Sequence, residues 1–182
     1  LKDIMKGLQE LISKKIIHRD LKPQNFFIHN DVHKIGDFGF AKFLNSEDEV
    51  IVTTMLGTPL YMSPQCLGKK GYSSKCDIWS LGICMYEMLT GNTPWPSNNH
   101  LELLNHMQNV SIKFPNDIVI SQMMKNIILR CLSVNEEFRI TWKELFEHPI
   151  LFEALAFQTG FGNEKSSTFL AEKKNLAVSC TT

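Results

Sequence analysis

No excess of charge of either sign runs through this sequence. Its 19 lysines and arginines balance 19 aspartates and glutamates, so there is no global positive field to draw in nucleic acid or an anionic lipid surface. Paired cysteines are missing too. The five present, Cys66, Cys76, Cys84, Cys131 and Cys180, are odd in number, widely spaced and never set as Cys-x-x-Cys. That usage argues against a disulfide framework or a zinc cluster and reads as reduced thiols in a cytoplasmic protein. Long apolar runs are also lacking: the strongest, DIWSLGICMYEML at 77–89, is too short to cross a bilayer, and no basic-then-apolar leader opens the chain. One glycosylation tripeptide, Asn109-Val110-Ser111, stands without a secretory signal and reads as a chance match. No internal repeat is visible.

What is there suits one globular domain with a core, since 43% of the 182 residues are hydrophobic and 21% charged. Leu1, Ile4, Met5, Leu8, Leu11 and Ile12 follow the spacing of a helix with one buried face. The chain opens inside that pattern and without Met, from which a truncated chain is expected. Two short β-like runs, FFIH at 26–29 and HKIG at 33–36, flank Asn30-Asp31, a pair that tolerates left-handed backbone and suits a tight turn. From about Phe40 to Gly71 no period is sustained. The acidic run Ser46 to Glu49 with Gly57, Pro59 and Pro64 predicts a long loop. After Gly71 the pattern is helical. Ser74 and Asp77 form a predicted capping box, Gly91 a predicted stop, and the helix between them is apolar nearly all round and so expected at the centre. Amphipathic helices are predicted at 98–109, 121–133 and 141–157, the last opened by a Thr141-x-x-Glu144 box and interrupted at Pro149. Residues past about 158 lose periodicity and read as a tail.

Three motifs then stand in order. HRDLKPQN occupies 18–25, DFG starts twelve residues after Asn25 at 37–39, and GTPLYMSP fills 57–64. Together, on a helix, loop, hairpin, long loop and helix, they resemble the protein kinase catalytic domain. The resemblance covers about residues 1–152 and matches the larger, helical C-terminal lobe. It implies a mainly α fold with a small β-hairpin, the C-terminal lobe of the kinase-like α+β fold without its N-terminal lobe, and leaves 153–182 as an extension. Phosphoryl transfer depends on positioning and on charge neutralisation more than on covalent help. The resemblance assigns Asp20 to orient the alcohol and take its proton, and Lys22 to reach the transferring phosphate. Asn25 and Asp37 fall where oxygen ligands to Mg²⁺ belong, so ATP and Mg²⁺ are the implied cofactors. His18 and Phe38 are expected to stack in the core below the site, with Gly39 completing the motif. A buried Asp77 is expected to accept backbone hydrogen bonds from the 18–20 turn.

Lys22, with Thr58 in GTPLY, matches serine/threonine kinases rather than tyrosine kinases, which implies protein substrates with Ser or Thr acceptors. Arg19 is placed to clamp a phosphate on the loop, and Thr53 and Thr54 are the candidate acceptors, modified by an activating kinase or by the enzyme itself. Gln24 stands where kinases selecting basic peptides often carry Glu, while Glu87 matches a second acidic reading position, so only a weak basic preference is expected. DFGFAK, GTPLYMSPQ, YSSKCDIWSLG and HPIL resemble most the autophagy-initiating, unc-like kinases, with the NIMA-related kinases next through GTP-x-YMSP. Gln65 departs from the pattern, replacing the Glu that would pair with Arg139. Phe26 and Phe27 replace an aliphatic pair, one of which would lie near the adenine. No Gly-x-Gly-x-x-Gly loop, strand lysine or partner Glu helix occurs in the chain; GFGNEK at 161 lacks the third glycine. A nucleotide half upstream of Leu1 and an inactive isolated chain are therefore expected, with a non-catalytic docking or decoy module as the alternative reading.

Overall fold

The computed structural model describes residues 1–46, 49–51 and 55–150. Helix α1, Lys2–Ser13, buries Ile4, Met5, Leu8 and Ile12, the stripe its spacing predicts. Strand β1, Ile16–Ile17, leads through the motif at 18–25 into the hairpin of β2, Phe26–His29, and β3, Val32–Ile35, antiparallel with Phe26 opposite Ile35 and His29 opposite Val32. Asn30 and Asp31 take φ of 50° and 58°, the left-handed pair a two-residue turn needs. The hairpin lies on α1: Ile35 packs against Gly7, and the Asp3 carboxylate accepts from the His33 amide at 3.2 Å.

The stretch from Phe40 to Gly71, expected as one long loop, is partly built. Strand β4, Lys42–Phe43, pairs antiparallel with β1 in a second small sheet; Pro59–Tyr61 forms a 3-10 turn; α2, Pro64–Leu67, follows; and Ile51 bridges Tyr72. Pieces of two to four residues are too short to display a period, so the sequence conceals them.

Helix α3, Lys75–Thr90, is the centre of the molecule, buried from Cys76 through Tyr86. Its Trp79 stacks on Trp95 at 5.8 Å. Gly82 lets it cross α5 closely, since a β-carbon there would stand 2.8 Å from Cys131 Cβ. The stop is Gly91 as expected, at φ 78° with its amide on the Glu87 carbonyl. The Ser74 and Asp77 capping box is not made. Ser74 gives no side-chain cap and instead accepts from Trp142 Nε1 at 3.1 Å, while Asp77 turns toward the 18–19 backbone. Helices α4, His100–Asn109, and α5, Gln122–Cys131, are capped by Asn99 and Ser121. Helix α6, Trp142–Phe146, carries the predicted Thr141 and Glu144 box but ends before Pro149; residues 151–157 of the predicted helix, like the extension at 153–182, fall outside the described residues. Among the described residues no helix is long and apolar enough to cross a membrane.

Candidate active site

The site begins from a buried carboxylate on the central helix. Asp77, 1% exposed, accepts from the backbone amides of His18 at 2.6 Å and Arg19 at 2.8 Å. Burial pushes its carboxyl above the ordinary 3.8, and the two amides oppose that shift by favouring the charge. This grip holds Arg19 at φ 68°, a left-handed conformation costly for a side-chain-bearing residue. The next amide, that of Asp20, bonds the His18 ring at Nδ1, which leaves Nε2 to carry the proton given to Gly36 O at 2.9 Å. His18 thereby ties the loop to the end of the hairpin.

Asp20 receives donors at both oxygens. Oδ1 accepts from the amide and the hydroxyl of Thr58, each at 2.8 Å, and Oδ2 accepts from Lys22 Nζ at 2.8 Å and Asn25 Nδ2 at 3.3 Å. Lys22 also donates to Thr58 Oγ1 at 2.8 Å, and Asn25 Nδ2 to the Asp20 carbonyl at 2.8 Å, closing the network. Burial alone would raise the Asp20 carboxyl, but the bonds from Lys22 and Thr58 outweigh it and hold it below 3.8, so the group is a carboxylate at neutral pH. Thr58 reaches it because Gly57 adopts φ 106°, with its would-be β-carbon 2.5 Å from Arg19 O. Gly57 is the site residue that sequence reasoning passed over, reading it only as a loop signal. The clue was its position directly before Thr58, where close backbone approach demands glycine.

Asp37 follows Gly36, whose amide donates to the Asn25 carbonyl at 2.9 Å, so the two sit on adjoining ends of the hairpin. Asp37 is exposed, left-handed at φ 56°, and accepts from the Gly39 amide at 3.3 Å. With Asn25 Nδ2 committed to Asp20, its amide oxygen is the end left to face a cation; an amide and a carboxylate oxygen form a donor set that fits Mg²⁺. Phe38 meets the His18 ring edge-on at 5.3 Å but is 49% exposed, so the expected burial of both rings in the core holds for His18 alone.

The profile of the protein kinase domain matches residues 1–151. This chain belongs to the protein kinase family. It is 43% identical to serine/threonine-protein kinase atg1 of Dictyostelium discoideum over 83% of this chain and 23% of that protein. Identity to serine/threonine-protein kinase apg-1 of Neurospora crassa is 34% over 85% of the chain and 19% of the relative; for ATG1a of Arabidopsis thaliana it is 37% over 84% and 25%. These names belong to the unc-like group that the motifs resemble. The kinase chain spans about a quarter or less of the curated relatives it matches.

The remaining predicted positions sort by geometry. Arg19 directs Nε to the Phe40 carbonyl and reaches the Tyr72 hydroxyl; Thr53 and Thr54, its expected partners, lie outside the described residues. Gln24 and Glu87 converge on one phenol, Tyr61, which donates to Glu87 Oε2 at 2.6 Å and whose own ionisation is pushed up by burial and then by that carboxylate. Arg139, 1% exposed, is bound by carbonyls of Ser133 and Lys75 and by Gln65 Oε1 at 2.9 Å, and lies over the Trp79 ring at 5.1 Å. Gln65 uses its other end on the Val134 carbonyl at 2.7 Å. The neutral replacement thus serves two partners at once. Phe26 packs against the core, while Phe27 is half-exposed with its ring over Gly36, where any β-carbon would fall 2.6 Å from it.

Proposed function

We propose that residues 1–152 are the C-terminal lobe of a serine/threonine protein kinase that, completed by a nucleotide-binding lobe, moves the γ-phosphate of ATP to Ser or Thr hydroxyls of proteins. The observation that carries this reading is the closed network of Asp20, Lys22, Asn25 and Thr58, a carboxylate and a cation held side by side by partners from two loops. Asp20 accepts the substrate hydroxyl and aligns its oxygen; its depressed pKa suits orientation, with the proton taken up only as the oxygen–phosphorus bond forms. Lys22 turns its ammonium to the transferred phosphoryl oxygens, and Thr58 keeps Asp20 in place as it does so. Asn25 and Asp37 would hold Mg²⁺, which neutralises charge on the phosphates when bound. Tyr61 occupies one oxygen of Glu87, and Gln24 is neutral, which supports a weak preference for basic residues before the acceptor.

The test joins residues 1–182 to a kinase nucleotide lobe and follows label from γ-labelled ATP. Transfer confined to Ser and Thr of a peptide mixture is expected from the joined protein, and none from residues 1–182 by themselves. A folded, ATP-binding fusion that transfers nothing favours the docking-module reading instead.

A further inference from the structure

A cavity of about 200 Å³ lies between α2, α4 and the turn that joins α5 to α6, and it shares no residue with the Asp20 network. Half-buried Leu104 and Val134 give it an apolar lining, while Lys70, Gln108 and Asn135 are exposed, so it opens to solvent on their side. Among the described residues that line it, Lys70 carries the one charge and none is acidic. Asn135 Oδ1 is taken by the Glu137 amide at 2.9 Å, which leaves the Nδ2 hydrogens of Asn135 as donors. A second cation stands behind the lining. Arg139 is buried, and its acceptors among the described residues are all neutral: the carbonyls of Ser133 and Lys75, and Gln65 Oε1 at 2.9 Å. Gln65 itself lines the cavity; with Oε1 drawn to the guanidinium, its Nε2 gives one hydrogen to the Val134 carbonyl at 2.7 Å and keeps a second. Glu136, the acid whose charge acts on Arg139, is occupied by the Ser73 amide at 2.9 Å and hydroxyl at 2.6 Å.

We propose that this cavity anchors a peptide segment of a partner protein, taking a carboxylate side chain together with an aliphatic one beside it. Its volume falls below the roughly 300–1,000 Å³ of sites that enclose small molecules, and it suits anchoring side chains of a polypeptide instead. The carboxylate meets the Lys70 ammonium and the amide hydrogens of Gln108 and Asn135, and the charge of Arg139 behind Gln65 adds to the attraction. The aliphatic side chain lies against Leu104 and Val134, where leaving water supplies affinity that an exposed ion pair cannot. A basic segment is refused by the same two cations. This inference stands on the cavity and does not depend on phosphotransfer.

The side-chain amides of the lining make the test direct. The nitrogen-15-labelled chain is titrated with the peptide Gly-Ser-Glu-Leu-Ser-Gly, with versions carrying Lys for Glu or Gly for Leu, and with sodium acetate, while the NH₂ signals of Gln65, Gln108 and Asn135 are followed by NMR. The Glu-Leu peptide is expected to shift these three signals progressively and leave that of Asn25 in place. Each peptide substitution weakens binding by about tenfold, and added salt weakens the Glu-Leu complex. Lys70→Glu, at an exposed side chain, reduces affinity for the Glu-Leu peptide by about tenfold and raises it for the Lys-Leu one. Equal shifts from the Lys-Leu peptide, equal binding by Lys70→Glu, or no shift up to about 10 mM peptide overturns the proposal. Acetate saturating the signals at the same concentration as the peptide also overturns it, in favour of a plain anion site. The titrations of the unsubstituted protein decide the matter even where the variant fails to fold.

Discussion

Asp20 is held in place by Thr58, and Thr58 by the freedom of Gly57. A β-carbon on Gly57 would meet Arg19 O at 2.5 Å and force a side chain into φ 106°. Gly57→Ala is therefore expected to cost about 3 kcal/mol, from strain plus overlap, measured by urea unfolding. Gln65 answers a second question of single-residue chemistry. Its amide bridges buried Arg139 and the Val134 carbonyl, so Gln65→Ala leaves a carbonyl without its donor and a guanidinium without one of its acceptors. The expected loss is about 2 kcal/mol in the same assay, where a change under ~0.5 kcal/mol shows the bridge to be idle. Most residues of the site were legible because their motifs are contiguous in sequence. The need for glycine at 57 was not, since it follows from close approach to Arg19, remote in the chain.

Among elements, the legible ones carry their signals locally. The α1 stripe, the Asn30-Asp31 turn and the Thr141 box each span few residues, and the structure contains all three. The Ser74 and Asp77 pattern had the same local form and failed, because Asp77 is drawn to amides 58 and 59 residues away. The β1 and β4 pairing of two residues apiece gave no period to read. The α6 box also sets a pH dependence. Amide and hydroxyl bonds from Thr141, aided by Arg130, lower Glu144 from 4.5 to about 2. A depressed carboxylate stabilises the folded form in full above its unfolded value and loses that contribution as pH falls to its folded one, a window from 4.5 down to about 2. Glu144→Gln should narrow its stability gap to the parent protein across that window and keep the gap constant above it. Thermal melts between those limits check this, and a gap independent of pH contradicts it.

At the scale of the whole molecule, α3 does two jobs. Its buried length, stacked through Trp79 on Trp95 and crossed closely at Gly82, forms the core, and its first turn presents Asp77 to the loop that bears Asp20. Packing of the helical body is thereby transmitted to the site through two hydrogen bonds, which explains how a short loop keeps a left-handed arginine and a four-partner carboxylate. The helices and the small β-hairpin were readable from periodicity and turn chemistry, and the kinase domain from motif order, whereas the small second sheet had to be seen.

The most direct measurement compares the fusion to a nucleotide lobe with its Asp20→Asn form, at saturating ATP and Mg²⁺ and with ATP affinity determined for both. Asparagine keeps the size of the side chain but cannot accept the hydroxyl proton. The expected result is unchanged nucleotide affinity and a phosphotransfer rate lower by about 10²–10⁴-fold. Equal rates in the two proteins would contradict it.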